Sequence, residues 1–277
     1  MESQGYAAKQ DNGRILTAEL VGTAVLMLGG PGTGILAAGA VGNTVGIALG
    51  FGLAALIMTY AIGPVSGCHI NPAVTLGMLL TKKINGTQAV FAVIGQLIGG
   101  IGGAAIIYGI ASGQKNYHRG QFMANLWTYG DKYFGLGATI VVEVVFTALL
   151  VMVVLFSTTR SFPKMMNGLV IGLTITLIYI ITIPVDNTSI NPVRSLATAL
   201  FADSSTDALQ QLWAFIVFPL LGAVLGVFLF LLLDDTRLEE TMLADVPGLI
   251  DARDTIEIGT GEIVHSMEAT IEGDDNP

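Results

Sequence analysis

The sequence predicts an all-α membrane protein: six transmembrane helices plus two re-entrant half-helices in an inverted repeat. Three observations predict it. Of 277 residues, 52% are hydrophobic and only 12% are charged, about half the charged share of a soluble domain. Six separate stretches approach or exceed the roughly 20 apolar residues that cross a bilayer. Two short segments, Ser66-Gly67-Cys68-His69-Ile70-Asn71-Pro72-Ala73-Val74 and Asn187-Thr188-Ser189-Ile190-Asn191-Pro192-Val193-Arg194, carry Asn-Pro pairs 120 residues apart.

The crossing stretches are read at 16–38, 44–62, 89–111, 136–156, 167–183 and 212–233. Between the second and third lies 71–80, and between the fifth and sixth 191–201. At about 1.5 Å per residue these runs span only half a bilayer. Each opens on Asn then Pro, a favoured N-cap followed by the residue best tolerated at the first helical position. Capped helix starts in corresponding places of two halves mark broken helices lining a polar path.

Other features repeat. Glu19-x-x-x-Thr23 matches Glu143-x-x-x-Thr147, Gly52 and Gly172 each precede their Asn by 19 residues, and Gly102 and Gly222 each follow it by 31. Three crossings per half is an odd number, so the second half is inverted and the half-helix tips meet near the midplane. The third helix carries Gly95-x-x-x-Gly99-x-x-x-Gly103 and the sixth Gly222-x-x-x-Gly226, spacing that permits close helix packing.

Charge sets orientation. Lys9, Arg14, Lys82, Lys83, Arg160, Lys164, Arg237 and Arg253 fall on one side, and Lys115, Arg119 and Lys132 on the other. By the positive-inside rule both termini are cytoplasmic, in a cell-membrane protein. Residues 1–13 form a polar N-terminal segment with no look of a signal peptide. Residues 14–233 form the membrane domain, with repeats at 14–112 and 135–233. Residues 234–277, with 13 acidic and 2 basic residues, form an acidic cytoplasmic tail. The single cysteine, Cys68, excludes an intrachain disulfide framework.

At the midplane, two helix N-termini direct unpaired N–H groups and positive dipole ends at one spot. Asn71 and Asn191 can each cap their helix through the carbonyl and still offer N–H donors to a lumen. Asp would add a charge that attracts cations; Asn keeps the constriction neutral. Water accepting from both donors cannot also sit in a continuous proton wire, and the helix ends repel cations. Arg194, a charge within the membrane, reads as functional; the alternative is an ion pair with Asp186.

On these motifs and the repeat, residues 16–233 resemble the aquaporins, or major intrinsic proteins, most of all the water-selective aquaporin Z type. The family's motif is Asn-Pro-Ala twice. Here the first is Asn71-Pro72-Ala73 and the second Asn191-Pro192-Val193, and the resemblance implies that Val193 adds bulk where the half-helices pack. The resemblance also implies a selectivity filter of Phe51, Tyr179, Thr188 and Arg194. Tyr179 departs from the family, which has His in water channels and Gly in glycerol channels; it either narrows the filter or swings aside. Glu19 and Glu143, the only acidic residues deep in the apolar runs, stand at repeat-related positions and read as loop anchors that accept backbone N–H bonds; the alternative is a proton relay. The carbonyls of Gly67, Cys68 and His69, and of Asn187, Thr188 and Ser189, are then expected to face the pore. The Cys68 side chain either faces the lumen or is a buried, inert thiol, and His69 reads as loop packing rather than a metal ligand. Ser195 and Ala199 stand where water-type members have them, whereas Phe215-Ile216 departs in part from a common Phe-Trp pair.

The expected function is a passive, osmotically driven water channel that excludes protons and ions. The alternatives are a channel for glycerol or another small neutral solute, and an ion- or proton-coupled transporter, which also uses broken helices. No nucleophile–base or metal constellation suggests an enzyme, and no cofactor, metal or nucleic acid is expected. The resemblance implies a homotetramer in lipid with one pore per protomer.

Overall fold

The computed structural model describes residues 11–129, 134–159 and 161–234. Among them are nine α-helices, one 3-10 turn at Lys164–Met166 and no strand. Helix α1 (Asn12–Leu36) begins earlier than expected because Asp11 caps it, its carboxylate accepting from Gly13 N at 2.9 Å. Helices α2 (Thr44–Ser66) and α6 (Asn167–Asp186) start where expected but run on through Pro64 and Pro184. Each stops at a residue in the left-handed region, Gly67 at φ 87° and Asn187 at φ 63°. The left-handed cap, not the proline, ends the helix.

The half-helices are α3 (Pro72–Leu80) and α7 (Pro192–Phe201), each capped by its Asn with Pro in the first turn. Helix α4 (Gly86–Ala111) starts three residues early behind a capping box of Asn85 and Gln88. Helix α5 (Gly135–Ser157) follows expectation closely, while a short α8 (Ala208–Gln211) precedes α9 (Ala214–Leu233). Among the described residues, six helical spans are long and apolar enough to cross a membrane: α1, α2, α4, α5, α6 and the Ala208–Leu233 run.

Helix α1 packs along α4 and α2, and α2 packs along α6. The α2–α6 contact joins the repeat-related Gly52 and Gly172: a Cβ on either would lie 2.5–2.6 Å from the other's carbonyl oxygen. The proposed match of Gly102 with Gly222 does not hold. Gly102 has nothing within 4 Å of its Cβ position, whereas Gly222 lies against the Val144 carbonyl of α5. Its counterpart is Gly99, pressed on the Leu20 carbonyl of α1, just as Gly226 against Ala148 mirrors Gly103 against Ala24. The Asn-based count is therefore three residues off in the last helix, which matches Gly99 rather than Gly102, and the loops absorb the difference.

The half-helices run in opposite directions. Beyond the C-terminus of α3, Lys83 Nζ sits 5.7 Å from the Phe230 ring near the C-terminus of α9. The end of α7 lies by the 112–134 connection, where Asp203 N donates to Gly120 O at 2.9 Å and the Phe201 and Phe122 rings are 5.6 Å apart. Lys9, Lys132, Arg160, Arg237, Arg253, most of the N-terminal segment and the tail beyond Asp234 lie outside the described residues, as does the Lys164 side chain.

Candidate functional site

The two half-helix tips meet and exchange hydrogen bonds. Asn71 accepts from Ala73 N at 2.9 Å through its carbonyl, while its amide donates to Ile190 O at 2.7 Å. Asn191 accepts from Val193 N at 3.1 Å and donates to Ile70 O at 2.9 Å. Each carboxamide thus caps its own helix and braces the opposite loop. An amide NH₂ carries two hydrogens, so each Asn keeps one N–H beyond this brace.

The bracing carbonyls belong to Ile70 and Ile190, at φ 43° and 47°. Positive φ is an outlier for a β-branched residue and costs about 1–3 kcal/mol. It persists because both ends of each peptide are held. Ile70 N donates to Glu19 Oε2 at 2.6 Å and Ile190 N to Glu143 Oε2 at 2.7 Å. His69 N and Ser189 N donate to the remaining oxygens at 2.8 and 2.7 Å. Glu19 also accepts from Ser66 Oγ and Gln96 Nε2, each at 2.7 Å. Sequence reading overlooked the two isoleucines, although each stands directly before its Asn in a repeat already noticed.

The loops match in further detail. Cys68 N donates to Ser66 Oγ at 3.1 Å, and Thr188 N donates to Asp186 Oδ1 at 3.0 Å. Ser66 and Asp186 therefore fill the same role five residues before each Asn. His69 Nδ1 pairs with Thr75 Oγ1 at 3.2 Å.

A cavity of about 360 Å³ runs from Ser157 and Asn167 past Cys68 and His69 to Asn71 and Asn191, and is bounded by Phe51 and Tyr179. The Phe51 and Tyr179 rings are stacked, with centroids 4.0 Å apart and planes at 27°. Tyr179 Oη donates to Ser189 O at 3.3 Å. That carbonyl, expected to face the pore, already has a protein partner, as does Asn187 O, which accepts from Arg194 Nη2 at 3.0 Å. The Ser189 hydroxyl bonds to Ser195 and to Asn191 O, and the Thr188 hydroxyl to Thr182 at 2.7 Å.

Arg194 is fully buried, with its guanidinium carbon 5.6 Å from the Phe51 centroid. Its hydrogen-bond partners are Asn125 Oδ1, Thr198 Oγ1 and Asn187 O, all uncharged, and its Nε has none. The Asp186 carboxylate instead takes the Thr188 amide. Val193 reaches past its own half-helix to α4, where its Cγ1 occupies the space a Cβ on Gly100 would need.

Six membrane-length spans and two opposed half-helices with joined Asn tips define a multi-pass membrane protein of channel architecture. The sequence profile of the major intrinsic proteins matches residues 7–230, and the chain belongs to that family. It is 42% identical over 227 residues to Aquaporin Z of Photorhabdus laumondii, covering 79% of this chain and 97% of that one. It is 40% identical over 222 residues to Aquaporin Z of Brucella melitensis, covering 78% and 95%. With Aquaporin Z of Rhodopseudomonas palustris it shares 42% over 214 residues, covering 76% and 88%. The aquaglyceroporin of Plasmodium falciparum has the same fold, with a TM-score of 0.71 at 23% identity over 79% of this chain and 96% of that one.

Proposed function

We propose that this protein is a passive water channel that rejects protons and ions. The observation that carries the reading is the pair of neutral Asn carboxamides, each capping an opposed half-helix beside one cavity. The spare N–H of Asn71 and of Asn191 would donate to a passing water, whose oxygen then turns toward the tips. A water so oriented cannot relay a proton, and the two positive helix ends oppose any cation. Phe51, Tyr179, Thr188 and Arg194 form the filter in this reading. The stacked Phe51–Tyr179 rings leave no wide apolar side for a carbon chain, which favours water over glycerol. The names of the relatives, Aquaporin Z in three bacteria, support the same substrate.

The reading extends to a channel unit at 14–233 with repeats at 14–112 and 135–233, and an acidic tail at 234–277. Both termini are cytoplasmic, in a cell-membrane homotetramer held in lipid and without enzymatic activity. The test is light scattering of proteoliposomes under a sucrose gradient, with parallel glycerol and proton assays. Rapid shrinkage in sucrose without matching glycerol entry is the expected result. Glycerol flux equal to water flux, or flux that follows a proton or sodium gradient, overturns it.

A further inference from the structure

Asn125 lies in the connection between α4 and α5, outside every motif, yet is only 2% exposed. Its carboxamide oxygen accepts from Arg194 Nη1 and from Ser195 Oγ, the latter at 2.7 Å. Its amide nitrogen donates to Asp186 O at 3.1 Å, where Leu126 N also donates at 3.3 Å. Next to it, Ala124 O accepts from Asn187 Nδ2 at 3.1 Å, and Trp127 N donates to Gln211 Oε1 at 2.8 Å. Residues 124–127 are thus sewn to the turn that ends α6 and to α8. Asn125 is the side chain of that segment that holds the guanidinium.

We infer that Asn125 is a positioning residue for Arg194, and that its lack of charge is a determinant of ion rejection. This rests on the channel reading above. A buried arginine is ordinarily paired with a carboxylate, and an aspartate here would have the same shape and hold Nη1 by a stronger, charge-assisted bond. That bond would also cancel the positive charge a filter needs against cations. The nearby acids make their hydrogen bonds elsewhere: both oxygens of Glu143 accept from the Ser189 and Ile190 amides, and Asp186 accepts from the Thr188 amide through Oδ1, its Oδ2 having no partner among the described residues. The hydrogen-bond acceptors that hold the Arg194 guanidinium are neutral oxygens, so its orientation is fixed without a counter-charge bonded directly to it.

The experiment compares the full-length parent, Asn125→Ala and Asn125→Asp in liposomes. Osmotic water flux, proton leak with a pH dye, and thermal unfolding in detergent are measured on each. Asn125→Ala leaves Nη1 with only its 3.4 Å bond to Thr198 Oγ1 and lowers water permeability severalfold. Asn125→Asp restores the tether, so it conducts more water than Asn125→Ala, yet its proton or sodium leak rises by about tenfold over the parent. A merely structural role predicts that both variants lose water flux and unfolding temperature in parallel, with no gain of leak; that result overturns the inference. So does Asn125→Asp with the parent's ion rejection. Should Asn125→Ala not fold, Asn125→Ser, too short to reach the guanidinium, takes its place with the same expected and opposing results. A parent that passes no water sinks the channel reading itself and this inference with it, an outcome distinct from a conducting parent with unaffected variants.

Discussion

Tyr179 lies face to face with Phe51, centroids 4.0 Å apart, and gives its hydroxyl proton to the Ser189 carbonyl. One side chain thereby fills space at the end of the cavity and takes an acceptor from the loop. Tyr179→Gly removes the ring and frees that carbonyl. Glycerol permeability is expected to rise more than water permeability, measured by swelling of proteoliposomes in each gradient. The substitution also empties a packed site, at about 3–5 kcal/mol for a large aromatic, so unfolding temperature is followed in parallel. A stable Tyr179→Gly protein that passes no more glycerol than its parent removes Tyr179 from the filter.

Arg194→Val deletes the buried guanidinium and leaves the Asn187 carbonyl without its donor, while Asn125 Oδ1 keeps the Ser195 hydroxyl. An orphaned buried acceptor costs about 1–3 kcal/mol, so the variant is less stable. The functional expectation is a proton or cation leak absent from the parent, read with a pH dye at zero osmotic gradient. An unchanged proton block in a folded variant assigns selectivity to the Asn tips alone.

The membrane spans and half-helices were legible because bilayer thickness turns apolar length into structure, and because the Asn-Pro starts repeat. The ends of α2 and α6 were not, since a proline in the last turn looks like a stop while the left-handed Gly67 and Asn187 do the stopping. The Gly102–Gly222 match failed because counting from the Asn ignores slack in loops, whereas the contacts of Gly99 and Gly222 on α1 and α5 do not. Asn125 was invisible for a different reason. It acts across 69 residues of sequence through one carboxamide, and nothing local in a polar loop marks such a residue.

The two buried glutamates are not equal. Glu19 accepts from two amides, a hydroxyl and a carboxamide, whereas Glu143 accepts from two amides. A typical hydrogen bond contributes about 0.5–1.5 kcal/mol net, so Glu19→Ala is expected to lower the unfolding temperature more than Glu143→Ala. Glu143→Ala should nevertheless cut water flux, because the Ile190 carbonyl that receives Asn71 loses its support. Equal destabilisation by the two substitutions would show that the additional bonds of Glu19 contribute nothing net.

Val193 stands where the motif of the other half has Ala73, and one of its methyls lies against Gly100 on α4. A Cβ on Gly100 would lie 2.5 Å from Val193 Cγ1, but 3.6 Å from both Ala197 Cβ and Thr23 Cγ2. Only the valine methyl therefore forbids alanine at that position. Gly100→Ala alone is expected to destabilise by about 1–3 kcal/mol, the usual cost of overpacking. In the Val193→Ala background the same change should cost almost nothing, or stabilise, since alanine is the better helix former by about 1 kcal/mol. A double-mutant cycle on unfolding temperature in detergent reads the coupling directly. Additive effects of the two substitutions would mean that the Val193 methyl does not constrain position 100.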